Sequence, residues 1–511
     1  MNAVISEKTP LESLFARIRT LYRENRIPFL SALITGLITY VFCFTNKLET
    51  MDDLECLFCQ GGTVNLGRWG LDLLDKLFPS ASIPWLNGIL SLVILSCAVC
   101  IMLRMFNIRS ELLQALLAAV LISFPSHTCT FSYMYTTIQY AVSLLLAVWA
   151  ALKLTQGNKL TDAVLPVIML VFSVSIYQAY IAVAASLLVA WCFILTLDKK
   201  NTGREILGKG IKYIVCIVTS MLVYYVINIF VQKISSTSYS AYAQNSLGGE
   251  ENILTGIRVA YTSFVGYFYK GYYDLVSTNA SKNCHFALIV VEAALLIKHF
   301  SEKENRTDGR LAVAALCILL FPLSVNCIRV ISTLFHNLML FSFAVIYLLS
   351  AAVLEKCAPK LKKGRGKICK DFVAIMVTAV LCINVYFANA VYTKMYMQFH
   401  QAEAFYTSVF SNIMNDPDFN EDSQVCFVGS NDVLYDIPLI DTNNQAGIRE
   451  GIVGTYSQAS FIRNYLGLDL DIADWDTTDL LLEDEEIMAM PVYPYYGSIM
   501  KRNNQYIIRL G

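Results

Sequence analysis

Charge is scarce in this chain of 511 residues: 15% are Asp, Glu, Lys or Arg, 56% are apolar, and the mean hydropathy is +0.51. Soluble domains carry about a quarter charged residues, so a soluble core has no way to hide this much apolar surface. Basic residues are not in excess either. The 39 Lys plus Arg stand against 40 Asp plus Glu, a formal net charge of −1, which removes nucleic acid as a partner. Histidine is rarer still, at five. His127, His285 and His336 fall near separate helix ends, as scattered polar residues do, so no metal is expected. Cys56 and Cys59 form a lone C-x-x-C with no second pair at zinc spacing, and read as two thiols or one local disulfide. Other cysteines, such as Cys97, Cys100, Cys192, Cys216, Cys317 and Cys382, lie in apolar stretches where the thiol acts as a small hydrophobe. Walker and dinucleotide fingerprints are missing, and Val428-Gly429-Ser430-Asn431 holds a single Gly. A soluble nucleotide-sugar donor is disfavoured, and no cofactor is expected.

What the chain has is long charge-free runs. A bilayer core of about 30 Å needs roughly 20 helical residues. Eight windows near that length appear, near 27 to 45, 82 to 103, 133 to 152, 213 to 232, 284 to 297, 311 to 328, 334 to 354 and 372 to 393. Glu292 is the only Asp, Glu, Lys or Arg inside them. A shorter ninth, near 112 to 124, ends at Phe124-Pro125. The uncharged run 163 to 197 would reach about 52 Å as one helix, so it must hold two spans. Its most polar point, Ser175-Ile176-Tyr177-Gln178, is the expected break. The fold class is therefore mainly α, a polytopic membrane protein of about eleven transmembrane helices. The first helix is too long for a removable signal peptide, and no small-residue cleavage site follows it.

Orientation follows from the distribution of Lys and Arg. The N-terminal tail and the even-numbered connections hold 25 of them, and the opposite side holds 14. The connection 355 to 371 alone carries seven. The N-terminus is expected in the cytoplasm and, with an odd number of spans, the C-terminus outside. The chain divides into a multi-spanning domain, 1 to 393, with outer loops 46 to 81 and 233 to 283, and an extracytoplasmic C-terminal domain, 394 to 511. That tail carries 18 Asp plus Glu against six Lys plus Arg. Ala402, Phe405, Val409 and Ile413 continue the last helix at helical spacing, and Asp416-Pro417-Asp418 stops it. Gln424 to Val428 and Tyr506 to Leu510 read as strands, which makes the tail a small α/β domain. In the loop 233 to 283, Ile253, Ile257, Tyr261, Phe264 and Phe268 repeat at threes and fours. That spacing predicts an amphipathic helix at the membrane interface, with an aromatic belt or a re-entrant segment as alternatives; Tyr267, Tyr269, Tyr272 and Tyr273 belong to the same aromatic stretch.

Nearly charge-free spans push chemistry toward the outer loops. The first is the densest: Glu49, Asp52, Asp53 and Glu55 follow the first helix, with Arg68 and Trp69 beyond. Clustered carboxylates beside an apolar phase repel one another, so at least one becomes a stronger base than a free Asp; solvated acids after a span are the plainer reading.

Asp52-Asp53, then Leu66-Gly67-Arg68-Trp69-Gly70, then Phe172-Ser173-Val174-Ser175-Ile176-Tyr177-Gln178-Ala179-Tyr180 resemble the GtrII glucosyltransferase family, and the resemblance extends over nearly the whole chain. It implies a C-type glycosyltransferase architecture, a polyprenyl-phosphate-linked glucose as donor and an extracytoplasmic surface polysaccharide as acceptor, with the lipid bilayer as environment. A sugar phosphate already has a good leaving group, so one carboxylate base suffices where a glycosidase needs two. Asp53 is the slightly favoured base, then Asp52, with Glu55 as a substitute. Arg68 and Arg329 are the candidate phosphate ligands, Trp69 and Tyr177 the candidate sugar-stacking rings, and Gln178 a candidate hydroxyl ligand. Their plainer readings are a snorkelling arginine, interfacial anchors and a helix cap. The rival functions are a transporter or flippase of a lipid-linked saccharide, or a non-catalytic envelope-assembly subunit.

Overall fold

The computed structural model of the chain describes residues 9–57, 63–77, 81–157, 159, 161–240, 243–244, 252–270, 279–330, 332–333, 336–361, 364–420, 422–429 and 457–510. Cys59, Tyr272, Tyr273, Ser430 and Asn431 lie outside these residues, and with them part of the C-x-x-C pair and of the aromatic loop.

The molecule is mostly helical. In chain order the elements that matter are α1 (Pro10–Glu24), α2 (Arg26–Thr45), α3 (Met51–Glu55), α4 (Trp69–Asp75), α5 (Pro84–Met105), α6 (Glu111–Ile122), α7 (Pro125–Phe131), α8 (Thr137–Gln156), α9 (Val164–Ile176), α10 (Ile181–Thr196) and α11 (Gly203–Ile234). They are followed by α12 (Ile253–Val265), α13 (Asn279–Ser301), α14 (Arg310–Val325), α15 (Val345–Cys357), α16 (Arg365–Met414), α17 (Gln458–Phe461) and α18 (Trp475–Leu482).

Among the described residues, eight helices are long and apolar enough to cross a membrane: α2, α5, Met134–Gln156, Gln178–Thr196, α11, α13, Asn337–Lys360 and α16. α6 and α7 form a further pair bent by 46°. The bend falls where Pro125 removes a helical donor and pushes Phe124 to an extended backbone. Thr161–Ile176 and Arg310–Val325 are apolar but shorter. Every charge-free window of the sequence thus carries a helix. The run 163 to 197 is broken at Tyr177, whose φ of −149° and ψ of 109° end α9 before the 3-10 turn Gln178–Tyr180 starts the next helix.

α16 runs unbroken for 50 residues, so the expected boundary at 393 falls inside it. Ala402, Phe405, Val409 and Ile413 form one buried stripe, as their spacing requires. Beyond it lies a four-stranded mixed sheet of β1 (Gln424–Val428), β2 (Asp471–Ile472), β3 (Ile499–Arg502) and β4 (Gln505–Arg509), in the order β2-β1-β4-β3. β1 pairs in parallel with β2 and β4, and β3 pairs antiparallel with β4. Alternation gives the sheet two apolar faces. Val425, Phe427, Tyr506 and Ile508 join the main core, and Phe427 meets the α16 rings of Tyr406 at 5.3 Å and Phe410 at 6.3 Å. Cys426, Val428, Ala473, Ile487 and Ile507 form a second, smaller cluster.

The loop helix α12 is present, with part of its apolar repeat turned inward and part exposed. Gly256, Ala260, Ser263 and Phe264 are buried, whereas Ile253 is 67% exposed. Phe264 and Phe268 turn into the protein against Phe343, at 5.8 and 6.1 Å. A helix with glycine and alanine on one side packs by close backbone approach, and a hypothetical Cβ on Gly256 would lie 3.0 Å from the Cα of Val330.

Candidate functional site

α3 is one turn and a half of helix, too short to hold itself. It begins at Thr50, whose hydroxyl accepts from the Asp53 N–H at 3.3 Å and donates to Asp53 Oδ2 at 3.3 Å. Asp53 is fully buried, and its carboxylate faces the start of Met134–Gln156. The Tyr135 N–H donates to Oδ1 at 3.0 Å and the Met134 N–H to Oδ2 at 3.2 Å. Burial pushes this carboxyl up to about 8; the Glu49 charge adds to the rise, and backbone amides of Tyr135, Met134 and Thr50 oppose it. Its oxygens are engaged inside the protein, as befits a clamp between the first loop and α8.

Asp52 is different. It is half-buried, and its charge acts on both Tyr135 and His336. Burial lowers the pKa of His336; the Arg68 cation lowers it further and Asp52 opposes both. A carboxylate and a guanidinium therefore lie within electrostatic reach of one imidazole. Glu55 ends α3, also half-buried.

Arg68 is fixed by the local chain. Gly67 adopts φ +73°, the left-handed region that favours glycine, and a Cβ there would lie 2.7 Å from the Tyr224 hydroxyl. That hydroxyl donates to the Gly67 carbonyl at 2.8 Å. Gln178 Nε2 donates to the Leu66 carbonyl at 3.0 Å and to the Tyr224 hydroxyl at 3.2 Å. Gly70 lies against α9, where a Cβ would be 2.1 Å from Ser175 Oγ and 3.1 Å from the Ser175 carbonyl carbon. The two glycines of Gly-Arg-Trp-Gly are thus a turn and a close helix crossing, and they hold the two large side chains between them.

The Arg68 guanidinium donates from Nη1 to the Tyr140 hydroxyl at 3.1 Å and lies 5.4 Å from the centre of the Tyr177 ring. Tyr140 and Tyr177 stack, with centroids 4.3 Å apart and planes 24° off parallel. Trp69 points the other way. Its ring meets Phe172 edge-on at 5.8 Å and closes the end of an apolar crevice of about 500 Å³ between α9 and α11.

The sequence-derived candidates therefore separate. Arg68, Tyr140 and Tyr177 come together, and the charges of Arg68 and Asp52 both act on His336. Asp53 accepts from the Met134 and Tyr135 amides, and Gln178 donates to the Leu66 carbonyl and the Tyr224 hydroxyl. Trp69 belongs to the apolar crevice. Arg329 sits in its own loop, where its guanidinium donates to the Ser332 and Thr333 carbonyls. Tyr140, Tyr224 and His336 are the members that sequence reasoning missed or set aside. The two tyrosines lie inside charge-free windows, where a hydroxyl leaves no mark on the hydropathy pattern.

Residues 41–354, well over half of the chain, match the family model described as Glucosyl transferase GtrII. The match takes in the acidic loop, Gly-Arg-Trp-Gly and the Tyr177 break, and it stops before α16 and the sheet. No curated protein and no solved structure matches the chain.

Proposed function

The chain belongs to the GtrII glucosyl transferase family, and on that premise we propose that it moves glucose, or a similar hexose, from a polyprenyl-phosphate carrier to a surface polysaccharide at the outer face of a cell membrane. The observation that carries the reading is the Arg68 guanidinium held against the Tyr140–Tyr177 stack next to the apolar helices, with the Asp52 charge acting alongside that of Arg68 on His336. A half-buried carboxylate, a cation and an aromatic platform are what transfer from a sugar phosphate needs.

In this mechanism the acceptor hydroxyl oxygen forms a bond to the anomeric carbon as the bond from that carbon to the phosphate oxygen breaks. The hydroxyl proton passes to Asp52, and the polyprenyl phosphate leaves with the bonding electron pair. Arg68 stabilises the charge on that leaving phosphate, and Arg329, in its separate loop, is a donor-phosphate ligand that holds the bound donor and the transition state alike. Tyr177 offers its ring face to the sugar. Asp53 keeps α3 in register, and Glu55 is the substitute base. The topology that goes with the mechanism has eleven crossings: the eight long helices, the bent pair and the two shorter apolar helices. The N-terminus is then cytoplasmic, residues 1 to 393 form the membrane domain, and residues 394 to 511 lie outside.

The test is direct. Purified protein is incubated with labelled polyprenyl-phosphate-glucose and a cell-envelope polysaccharide, and label appearing on the polysaccharide with release of free polyprenyl phosphate is expected. A flippase or an assembly subunit would leave the sugar phosphate intact, and that result sinks the reading.

A further inference from the structure

Glu49 links the acidic loop to a part of the chain beyond the family match. It is 1% exposed, and a carboxylate removed from water must find partners or take a proton. Lys47 Nζ lies 2.9 Å from Oε1, and the Tyr465 hydroxyl donates to Oε2. Lys47 also donates to the Ser82 carbonyl at 3.1 Å, which fixes the cation in turn.

Tyr465 is a rigid donor. Its ring stacks on Phe461 with centroids 5.3 Å apart, and Phe399 of α16 meets it edge-on at 4.9 Å. Phe461 is fully buried against Phe399 at 5.7 Å and Tyr406 at 5.5 Å. All these rings lie past residue 354, where the family match ends. Glu49 immediately precedes the Thr50 cap of α3 and stands four residues before Asp53. The short helix that carries Asp52 is thus held at two places, by Asp53 on the backbone of Met134 and Tyr135 and by Glu49 on Tyr465.

We propose that Tyr465 is a positioning residue for the transfer reaction: its hydroxyl, seated on an aromatic shelf built by the C-terminal region, fixes Glu49 and so holds α3 and Asp52 in place. The role in transfer rests on the function proposed above, whereas the mechanical link between Tyr465 and α3 does not. A chain ending with the matched segment would carry the acids but not the hold on them.

The experiment uses the full chain with Tyr465→Phe, which keeps the ring and its packing and removes only the donor. Two measurements are made: amide hydrogen exchange over residues 48 to 57, and steady-state transfer from labelled polyprenyl-phosphate-glucose. Exchange several-fold faster in that segment is expected, together with a kcat lower by about tenfold and an unchanged donor KM. Glu49→Ala combined with Tyr465→Phe should be no slower than Glu49→Ala alone, because one contact is lost in both. Unchanged exchange overturns the proposal, as does faster exchange with wild-type kcat, or losses that add in the double variant. A wild-type protein that transfers no glucose would sink the proposed function alone, and the exchange measurement would still decide whether Tyr465 holds α3.

Discussion

Asp53 and Tyr135 are joined through a backbone amide, the Tyr135 N–H donating to Asp53 Oδ1 at 3.0 Å, so the more deeply buried of two adjacent acids is bonded to a helix start while its neighbour Asp52 is only half-buried. Side chains of adjacent residues on one turn of helix point about 100° apart, which is why two identical acids next to each other take different work.

Replacing Asp52 with Asn keeps its size and removes the proton acceptor. Transfer should fall by about 10² to 10⁴ while donor binding and thermal stability hold. Asp53→Ala should instead lower the melting temperature of the detergent-solubilised protein, because two buried amide donors lose their acceptor. Full transfer activity in Asp52→Asn would move the base to Glu55 or elsewhere.

The Asp53 carboxyl is raised from 3.8 to about 8, so the fold favours its neutral form. The stability tied to that form is full below about 4 and is lost as pH rises through about 8. Burial moves Glu49 in the same direction. Melting temperature should therefore decline across that window, and the decline should shrink in Asp53→Asn. A flat profile in the wild type would contradict the burial of this carboxyl.

Gly70→Ala forces a methyl into space that Ser175 occupies, including its backbone carbon at 3.1 Å. A loss of about 1–3 kcal/mol is expected, read as a lower melting temperature. Gly67→Ala adds a strained backbone at φ +73° to a clash with the Tyr224 hydroxyl, so it should also misplace Arg68 and depress transfer more than stability explains.

Arg68→Lys keeps the charge and loses the planar fork that reaches Tyr140 and lies near Tyr177. The loss of a charge-assisted hydrogen bond, about 1.5–3 kcal/mol, corresponds to roughly 10- to 100-fold in kcat/KM. Arg329→Ala should raise the donor KM and leave kcat nearly unchanged, as loss of a phosphate contact made equally to donor and transition state does.

Reporter fusions or cysteine accessibility at two places should give opposite answers. The connection 355 to 371 is expected inside and the region 394 to 511 outside. Both on one side would remove the basis for an outer site.

Much of this was legible in the sequence. Charge-free windows locate the long helices because apolar solvent demands uninterrupted internal hydrogen bonding. The break at Tyr177 could be read because Ser175, Tyr177 and Gln178 are polar in an otherwise apolar run. Which of Asp52 and Asp53 meets the backbone of Met134 could not be read, since that is a contact across 81 residues. In the sequence His336 is one scattered imidazole, because Arg68 and Asp52, whose charges act on it, are remote along the chain. Trp69, with Tyr177 a candidate sugar-stacking ring, diverges from Arg68 at the start of α4 and lines the crevice, a direction that depends on the fold around α9. β2 and β3 escaped notice because two to four residues cannot establish a period.

α16 has one further mechanical meaning. Fifty helical residues extend about 75 Å, more than twice the thickness of a hydrocarbon layer of about 30 Å. The helix is thus a lever whose one arm sits among apolar helices and whose other arm supports a sheet. Without a flexible joint along its length, a tilt of the first arm swings the second, so changes in bilayer thickness that tilt α16 would be felt at Phe399 and the rings around it.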